Sequence, residues 1–257
     1  MKPVVFIGAG PGAADLITLR GAQRLAAAEV VLFDALTDPA LRDLAPKARW
    51  IDVGKRGFCD STGQVAINAL LVRHAQRGQA VVRLKGGDPS VFGRLEEELQ
   101  ALAGAGIPAE VVPGVTAAIA AAAATQRPLT RRGSGRSVSL TTAMTRSGEL
   151  QATRTADTEV FYMAGRQLGG LGRRLREAGW PSDTAVLVVS RAGWPDQLAS
   201  DHRVGTLAEA GLLHAGRPTV VTVGVGATAL TAVGAATRPG ATQAVEGPCR
   251  EAAHLHP

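Results

Sequence analysis

The first half of the chain alternates short apolar runs with helix-like stretches, and several of the runs end on glycine-bearing turns. Val4–Ile7 leads through Gly8-Ala9-Gly10-Pro11-Gly12 into a helix expected from about Leu16 to Ala28. Val30–Phe33, Trp50–Val53, Ala80–Leu84 and Ala109–Val112 read as further strands. Asn68–Arg77, Leu95–Ala103 and the alanine-rich Thr116–Ala124 read as helices between and after them. Such alternation favours an α/β fold with a mostly parallel sheet covered by helices. A basic, glycine-rich connection, residues 127–136, breaks the pattern and is a candidate domain junction. Beyond it, strands are expected near Ser137–Thr141, Glu159–Met163, Ala185–Val189 and Thr219–Val223, with a helix over Leu168–Ala178. The expected organisation is an N-terminal α/β domain over 1–130 and a C-terminal α/β domain over 137–235. A mobile tail is expected over 236–257, where Gly, Pro and Ala occur without periodicity.

Composition narrows the function classes. The chain has 257 residues, enough for a substantial core, with 46% hydrophobic and 19% charged residues, which excludes disorder as the main state. The apolar stretch Ile119–Ala124 falls far short of the ~20 residues that span a bilayer, and no signal peptide is read at the start. Two distant cysteines, Cys59 and Cys249, make neither a disulfide framework nor a metal site, and a reducing cytoplasm fits them. The net charge is +6, carried by 24 Arg against 4 Lys. Arginine forks suit carboxylates. No compact basic run is present and aromatics are only 4%, which argues against nucleic acid as the partner.

The strand-to-helix turns carry the candidate chemistry. In an open parallel sheet, ligands bind beyond the carboxyl ends of the strands. Gly8, Gly10 and Gly12 permit a sharp turn and a close backbone approach. Taken alone, this loop and the strand-terminal Asp34 suggest a dinucleotide site of an NAD-linked oxidoreductase. The third glycine is one residue early, however, and Pro11 has no N–H for a pyrophosphate. Val81-Val82-Arg83-Leu84-Lys85-Gly86-Gly87-Asp88-Pro89 ends a strand in a loop made for close contact, with Asp88 as an alternative helix cap. Val53-Gly54-Lys55-Arg56-Gly57 and Val112-Pro113-Gly114-Val115-Thr116 follow two other strands, and Thr116 is placed to cap the next helix.

Taken together and in this order, these segments resemble the tetrapyrrole methylases over roughly residues 3–233. The most specific piece is Arg83-Leu84-Lys85-Gly86-Gly87-Asp88-Pro89 with the following Val91-Phe92-Gly93-Arg94. Weaker agreement comes from Phe161-Tyr162-Met163, Trp194-Pro195-Asp196-Gln197 and Arg217-Pro218-Thr219. The resemblance implies two α/β domains with the active site in the cleft between them, a homodimer, S-adenosylmethionine as methyl donor and no metal. It implies that Pro11, Gly86, Gly87, Asp88, Val91, Thr116, Ala117, Met163, Ala192 and Thr219 line the donor site. Backbone near Gly87 and Asp88 would hold the methionine part, and apolar contacts such as Met163 the adenine. Asp34 matches the family's proton-accepting base and Lys55 its partner acid. The acceptor implied is a polycarboxylated tetrapyrrole, with two methylations of uroporphyrinogen III to precorrin-2 favoured over a later corrin acceptor. Arg56, Arg83, Arg94, Arg131, Arg132 and Arg136 lie in or beside the motifs as candidates for the ring carboxylates. The chain departs from the family pattern at Asp60, where a histidine is usual, at Leu95-Glu96 in place of paired glycines, and around Thr141–Thr145.

Overall fold

The computed structural model describes residues 1–54, 63–144 and 148–230. The expected tail over 236–257 and the candidate residues Lys55, Arg56 and Asp60 lie outside the described residues. The N-terminal half folds around a five-stranded sheet in the order β3-β2-β4-β1-β5, made of β1 (Val4–Gly8), β2 (Val30–Phe33), β3 (Arg49–Asp52), β4 (Val81–Lys85) and β5 (Ala109–Val112). Every pairing in it is parallel. Period-two alternation buries both faces. Val4, Phe6, Val30 and Leu32 pack with Leu71 of α2 (Gln64–Gln76) and Leu102 of α3 (Leu95–Gly104). Ile7, Val31 and Phe33 face the other way, onto Leu25 of α1 (Leu19–Ala26) and onto Leu41. A two-faced core is what lets these strands be almost continuously apolar. The helix expected from Leu16 begins only at Leu19, where the Thr18 hydroxyl caps it by accepting from Gly21 N–H at 3.1 Å.

The second sheet has the order β6-β7-β10-β8-β9, from β6 (Val138–Thr142), β7 (Thr158–Tyr162), β8 (Ala185–Ser190), β9 (Leu198–Arg203) and β10 (Thr219–Gly224). Only β6–β7 is parallel; the other three pairings are antiparallel. Strand β9, absent from the expectation, is a half-exposed edge whose burial alternates but whose residues, Leu198-Ala199-Ser200-Asp201-His202-Arg203, do not alternate in polarity and have too little apolar content to stand out. One face of the sheet packs Phe161, Val186, Val188 and Val221 on Leu168, Leu171 and Leu175 of α5 (Leu168–Glu177). The other face receives α4 (Ala117–Ala124): Ala118 meets Val160 and Val220, and Ala120 and Ala121 meet Leu187 and Val189. The alanine run therefore has a packing reason, since methyl side chains let a helix of the N-terminal half lie close against the second sheet.

Candidate active site

Three of the glycine turns meet at the carboxyl edge of the first sheet, because β1 lies between β4 and β5. Their contact is main chain on main chain. Gly10 (φ +80°) donates its N–H to Gly87 O at 3.3 Å, and Gly87 (φ +70°) donates back to Gly10 O at 2.7 Å. A Cβ on Gly114 would lie 2.4 Å from Gly87 O and 2.7 Å from Gly8 Cα. Asp88 ties the assembly, accepting from Ser90 N–H at 2.7 Å and from Gly114 N–H at 2.8 Å. It is thus a loop bracket rather than the helix cap considered from the sequence; α3 begins only at Leu95.

This arrangement bears on the dinucleotide alternative. Gly10 N–H is engaged by Gly87 and Ala9 N–H by Lys85 O (2.8 Å), so neither amide is presented to a pyrophosphate. Gly12 serves packing instead: a Cβ there would fall 2.2 Å from Trp194 Cδ1, and Trp194 Nε1–H donates to Pro11 O at 3.1 Å. Trp194 comes from the C-terminal half and clasps the loop after β1. The Arg191 guanidinium stacks 4.2 Å over its ring and is paired with Asp196 at 2.7 Å.

Between the two halves lies a cavity of about 280 Å³. Pro11, Gly86, Gly87, Asp88, Val91, Thr116, Ala117, Met163, Ala192 and Thr219 all line it. The structure thus brings together every residue expected at the donor site. Leu36, Phe92, Tyr162, Val189, Arg191, Trp194, Pro218 and Val220 line it as well. Tyr162 is the chain's single tyrosine, a sign that marks it as unusual without marking it as a bridge. Its hydroxyl joins Thr116 Oγ1 at 2.7 Å and accepts Ala118 N–H at 3.2 Å, so the second sheet reaches the first turn of α4. Thr116 stands at the N-cap position of α4 but makes no cap hydrogen bond; its hydroxyl is directed to Tyr162. The Phe92 and Tyr162 rings sit 5.0 Å apart. Phe92, Met163 and Arg191 have φ of +52°, +60° and +50°, so three side chains of the lining are held on sterically costly backbone.

The cavity suits a nucleoside with a short polar chain. Its lining is predominantly apolar, with Met163 half exposed to it, and its volume is near the lower end of small-molecule sites, ~300 Å³. A Cβ on Gly87 would meet nothing closer than 3.8 Å, so this turn leaves its space to a ligand. Gly87 N–H is already paired with Gly10, however, so Gly87 contributes shape rather than that donor.

Asp34 is not part of the cavity lining, but it lies two residues before Leu36, which is. Asp34 N–H donates to Leu84 O (3.3 Å), and two residues further along, Leu36 faces Gly86, with a built Cβ 3.1 Å from Leu36 Cβ. Gly54 packs on Ala35 so tightly that an added Cβ would lie 2.1 Å from Ala35 N, which sets the turn after β3 beside the Asp34 turn. Asp34 Oδ1 accepts from Arg83 Nη2 at 2.5 Å. Arg83 is 3% exposed and also donates from Nε to Glu98 Oε1 at 2.9 Å. Burial works to lower its pKa, but the Asp34 and Glu98 carboxylates prevail and hold it above the ordinary arginine value. Lys85 Nζ reaches Glu98 Oε2 at 2.7 Å; burial, with the Arg83 charge beside it, holds this amine below the usual lysine range. Arg83 is therefore corrected from a candidate for ring carboxylates to a buried internal partner. Arg94 is paired with Glu97 at 2.7 Å, and Arg131 donates from Nη2 to Thr228 O. Arg132 and Arg136 are exposed.

Comparisons with known proteins give the chain a family and a fold. The family model described as Tetrapyrrole (Corrin/Porphyrin) Methylases matches residues 3–211. A uroporphyrinogen-III C-methyltransferase of Pseudomonas aeruginosa is 40% identical over 226 residues, 86% of this chain and 92% of that protein. Siroheme synthase 1 of Yersinia pseudotuberculosis is 44% identical over 229 residues, 87% of this chain but only 48% of that longer protein. Among solved structures, uroporphyrin-III C-methyl transferase of Thermus thermophilus complexed with S-adenyl homocysteine superposes with a TM-score of 0.76 at 34% identity, covering 88% of this chain and 98% of that one.

Proposed function

The chain belongs to the tetrapyrrole methylase family, and from that premise we propose that it transfers methyl groups from S-adenosylmethionine to two pyrrole carbons of uroporphyrinogen III, giving precorrin-2 on the way to sirohaem and cobalamin. The observation that carries the reading is the meeting of the three glycine turns with Met163, Ala192 and Thr219 around one cavity between the sheets. The 40% identity to a protein named for this acceptor, over nearly its whole length, favours uroporphyrinogen III over a later corrin.

S-adenosylmethionine supplies an already activated methyl on sulfur, so the protein's task is chiefly to place donor and acceptor in line. Pro11, Gly86, Asp88 and Val91 on one side and Met163, Ala192 and Thr219 on the other hold the donor. The carbon that accepts the methyl must be matched by a proton leaving the ring system. Asp34, with one oxygen fixed by Arg83, takes it as general base. Lys55 is the partner acid of the family pattern. No helix among the described residues is long and apolar enough to cross a membrane. The reading carries with it a cytoplasmic location and a homodimer, the latter favoured by Val138 and Leu140, apolar and exposed on the edge strand β6. Sedimentation of the purified chain measures the assembly.

Incubation of the chain with uroporphyrinogen III and methyl-labelled donor tests the function. Label is expected in the tetrapyrrole, two methyls per ring at completion. No incorporation at saturating acceptor would overturn the reading. The D34N variant is expected to lower turnover ~10²-fold while S-adenosylhomocysteine binding is unchanged.

A further inference from the structure

Behind Asp34 lies a buried array that the motifs do not announce. Arg83 points along β4 under the first sheet's edge and uses its whole fork. Nη2 donates to Asp34 Oδ1, Nε to Glu98 Oε1, and Nη1 to the carbonyls of Leu84 (3.1 Å) and Leu32 (3.4 Å). Glu98, on α3, is completely buried. Its other oxygen takes Lys85, and Gln64 Nε2 at the start of α2 approaches Oε1 at 3.3 Å. The array holds two carboxylates and two cations, so it is charge-balanced, as a buried set must be. Only Asp34 reaches the surface, with a side chain 30% exposed. Among the described residues, no hydrogen bond is made to Asp34 Oδ2.

This geometry does more than hold the strand ends together. A carboxylate on a strand-end turn rotates freely about its side-chain bonds unless something holds it. Arg83 holds one oxygen from beneath, and Glu98 and the two carbonyls hold Arg83. The remaining oxygen has no hydrogen bond among the described residues, on a side chain that is 30% exposed. A lysine in the same place would bring a single ammonium and no planar fork, and could not serve Asp34, Glu98 and both carbonyls together.

We propose that Arg83, locked by Glu98, is a positioning residue for the methyl-transfer reaction: it fixes Oδ1 of Asp34 so that Oδ2 meets the proton leaving the acceptor. The inference rests on the reading of Asp34 as the base.

A double-substitution cycle in the methyl-incorporation assay, run beside calorimetric titration with S-adenosylhomocysteine, separates the two. R83Q leaves Glu98 paired with Lys85. It is expected to lower kcat about 30-fold, with KM and the S-adenosylhomocysteine Kd changed less than about 3-fold. In the D34N background the same substitution should change kcat less than about 3-fold, because the group it orients is gone. An equal loss in both backgrounds, or an unchanged kcat in R83Q, overturns the positioning role and leaves Asp34 as base. Unchanged kcat in D34N alone overturns the base reading and this inference with it. If R83Q loses its cooperative thermal transition, R83K takes its place. That variant keeps the charge and should lower kcat about 10-fold in the natural background and not in D34N; an additive loss overturns the role there too.

Discussion

The N-terminal wall of the cavity is built on main chain packed against main chain, with Phe92 as its one left-handed non-glycine lining residue, whereas the C-terminal wall is side chains, two of them carried on left-handed backbone. On the first wall, Gly8, Gly10, Gly87 and Gly114 approach so closely that a methyl group at Gly8 or Gly114 would collide with backbone. On the second, Met163 and Arg191 hold left-handed dihedrals without being glycine, and Trp194 and Tyr162 reach across to the opposite loops. The first wall is supported by buried charge, Glu98 with Arg83 and Lys85. The second is supported by hydroxyls and a buried imidazole: Ser190 Oγ meets His214 Nδ1 and, at 3.2 Å, Thr219 Oγ1 of the lining, while His214 Nε2 meets Ser200 at 2.8 Å.

Four substitutions and one titration probe that contrast, from the largest effect to the smallest. Glu98→Ala takes the carboxylate partner of buried Lys85 and one of the two that hold Arg83, and denaturant unfolding should show a loss of about 3–5 kcal/mol; a loss below ~1 kcal/mol would mean that the array contributes little to the first wall. Gly114→Ala should lose about 1–3 kcal/mol and weaken S-adenosylhomocysteine binding together, since the displaced atoms are backbone of the cradle itself. Tyr162→Phe removes the hydroxyl shared by Thr116 and Ala118, at about 1 kcal/mol in stability; no change would mean the bridge to α4 is incidental. Met163→Gly should act on stability in the opposite sense to Gly114→Ala. It relieves a left-handed non-glycine residue, so stability should hold or rise by up to about 1 kcal/mol while calorimetry shows weaker ligand binding.

The titration concerns the second wall. Burial, then the charges of His202 and Arg217, hold the His214 pKa below the usual histidine value. The unfolded chain therefore binds a proton at His214 before the folded one does. Stability from this group is fully present above ~6.5, the unfolded value, and is lost as the pH falls from there toward the depressed folded value. Unfolding followed from pH 7.5 to pH 5 should show that decline, and His214→Gln should flatten it; an unchanged slope would remove His214 as its source.

The contrast between the walls also explains what is legible in the sequence. Where a backbone must touch a backbone, only glycine serves, so the loops around Gly8 and Gly114 stand out as letters alone, and Gly87 stands out beside them for its left-handed backbone. The parallel first sheet is legible in its apolar runs for a similar reason, since both faces are covered. The second half gives weaker signs. Nothing in the letters of Met163 or Arg191 marks a left-handed residue, because the surroundings impose it. Strand β9 pairs only with β8 and keeps polar residues on its open side. Local chemistry allows Asp88 and Thr116 to cap helices, and a sequence shows only local chemistry. Asp88 Oδ2 and the Thr116 hydroxyl instead serve partners distant in the chain, Gly114 and Tyr162. Arg83 looks like the other arginines of the motifs because charge is visible in a sequence and burial is not.

A crystal structure of this chain with S-adenosylhomocysteine tests the central claim most directly. The ligand should lie in the cavity between the sheets, in contact with the Gly86–Asp88 turn on one side and with Met163 and Ala192 on the other, and with Asp34 beside it. Density in the open depression near Asp157 and Trp180 instead, or contacts to one wall alone, would contradict it.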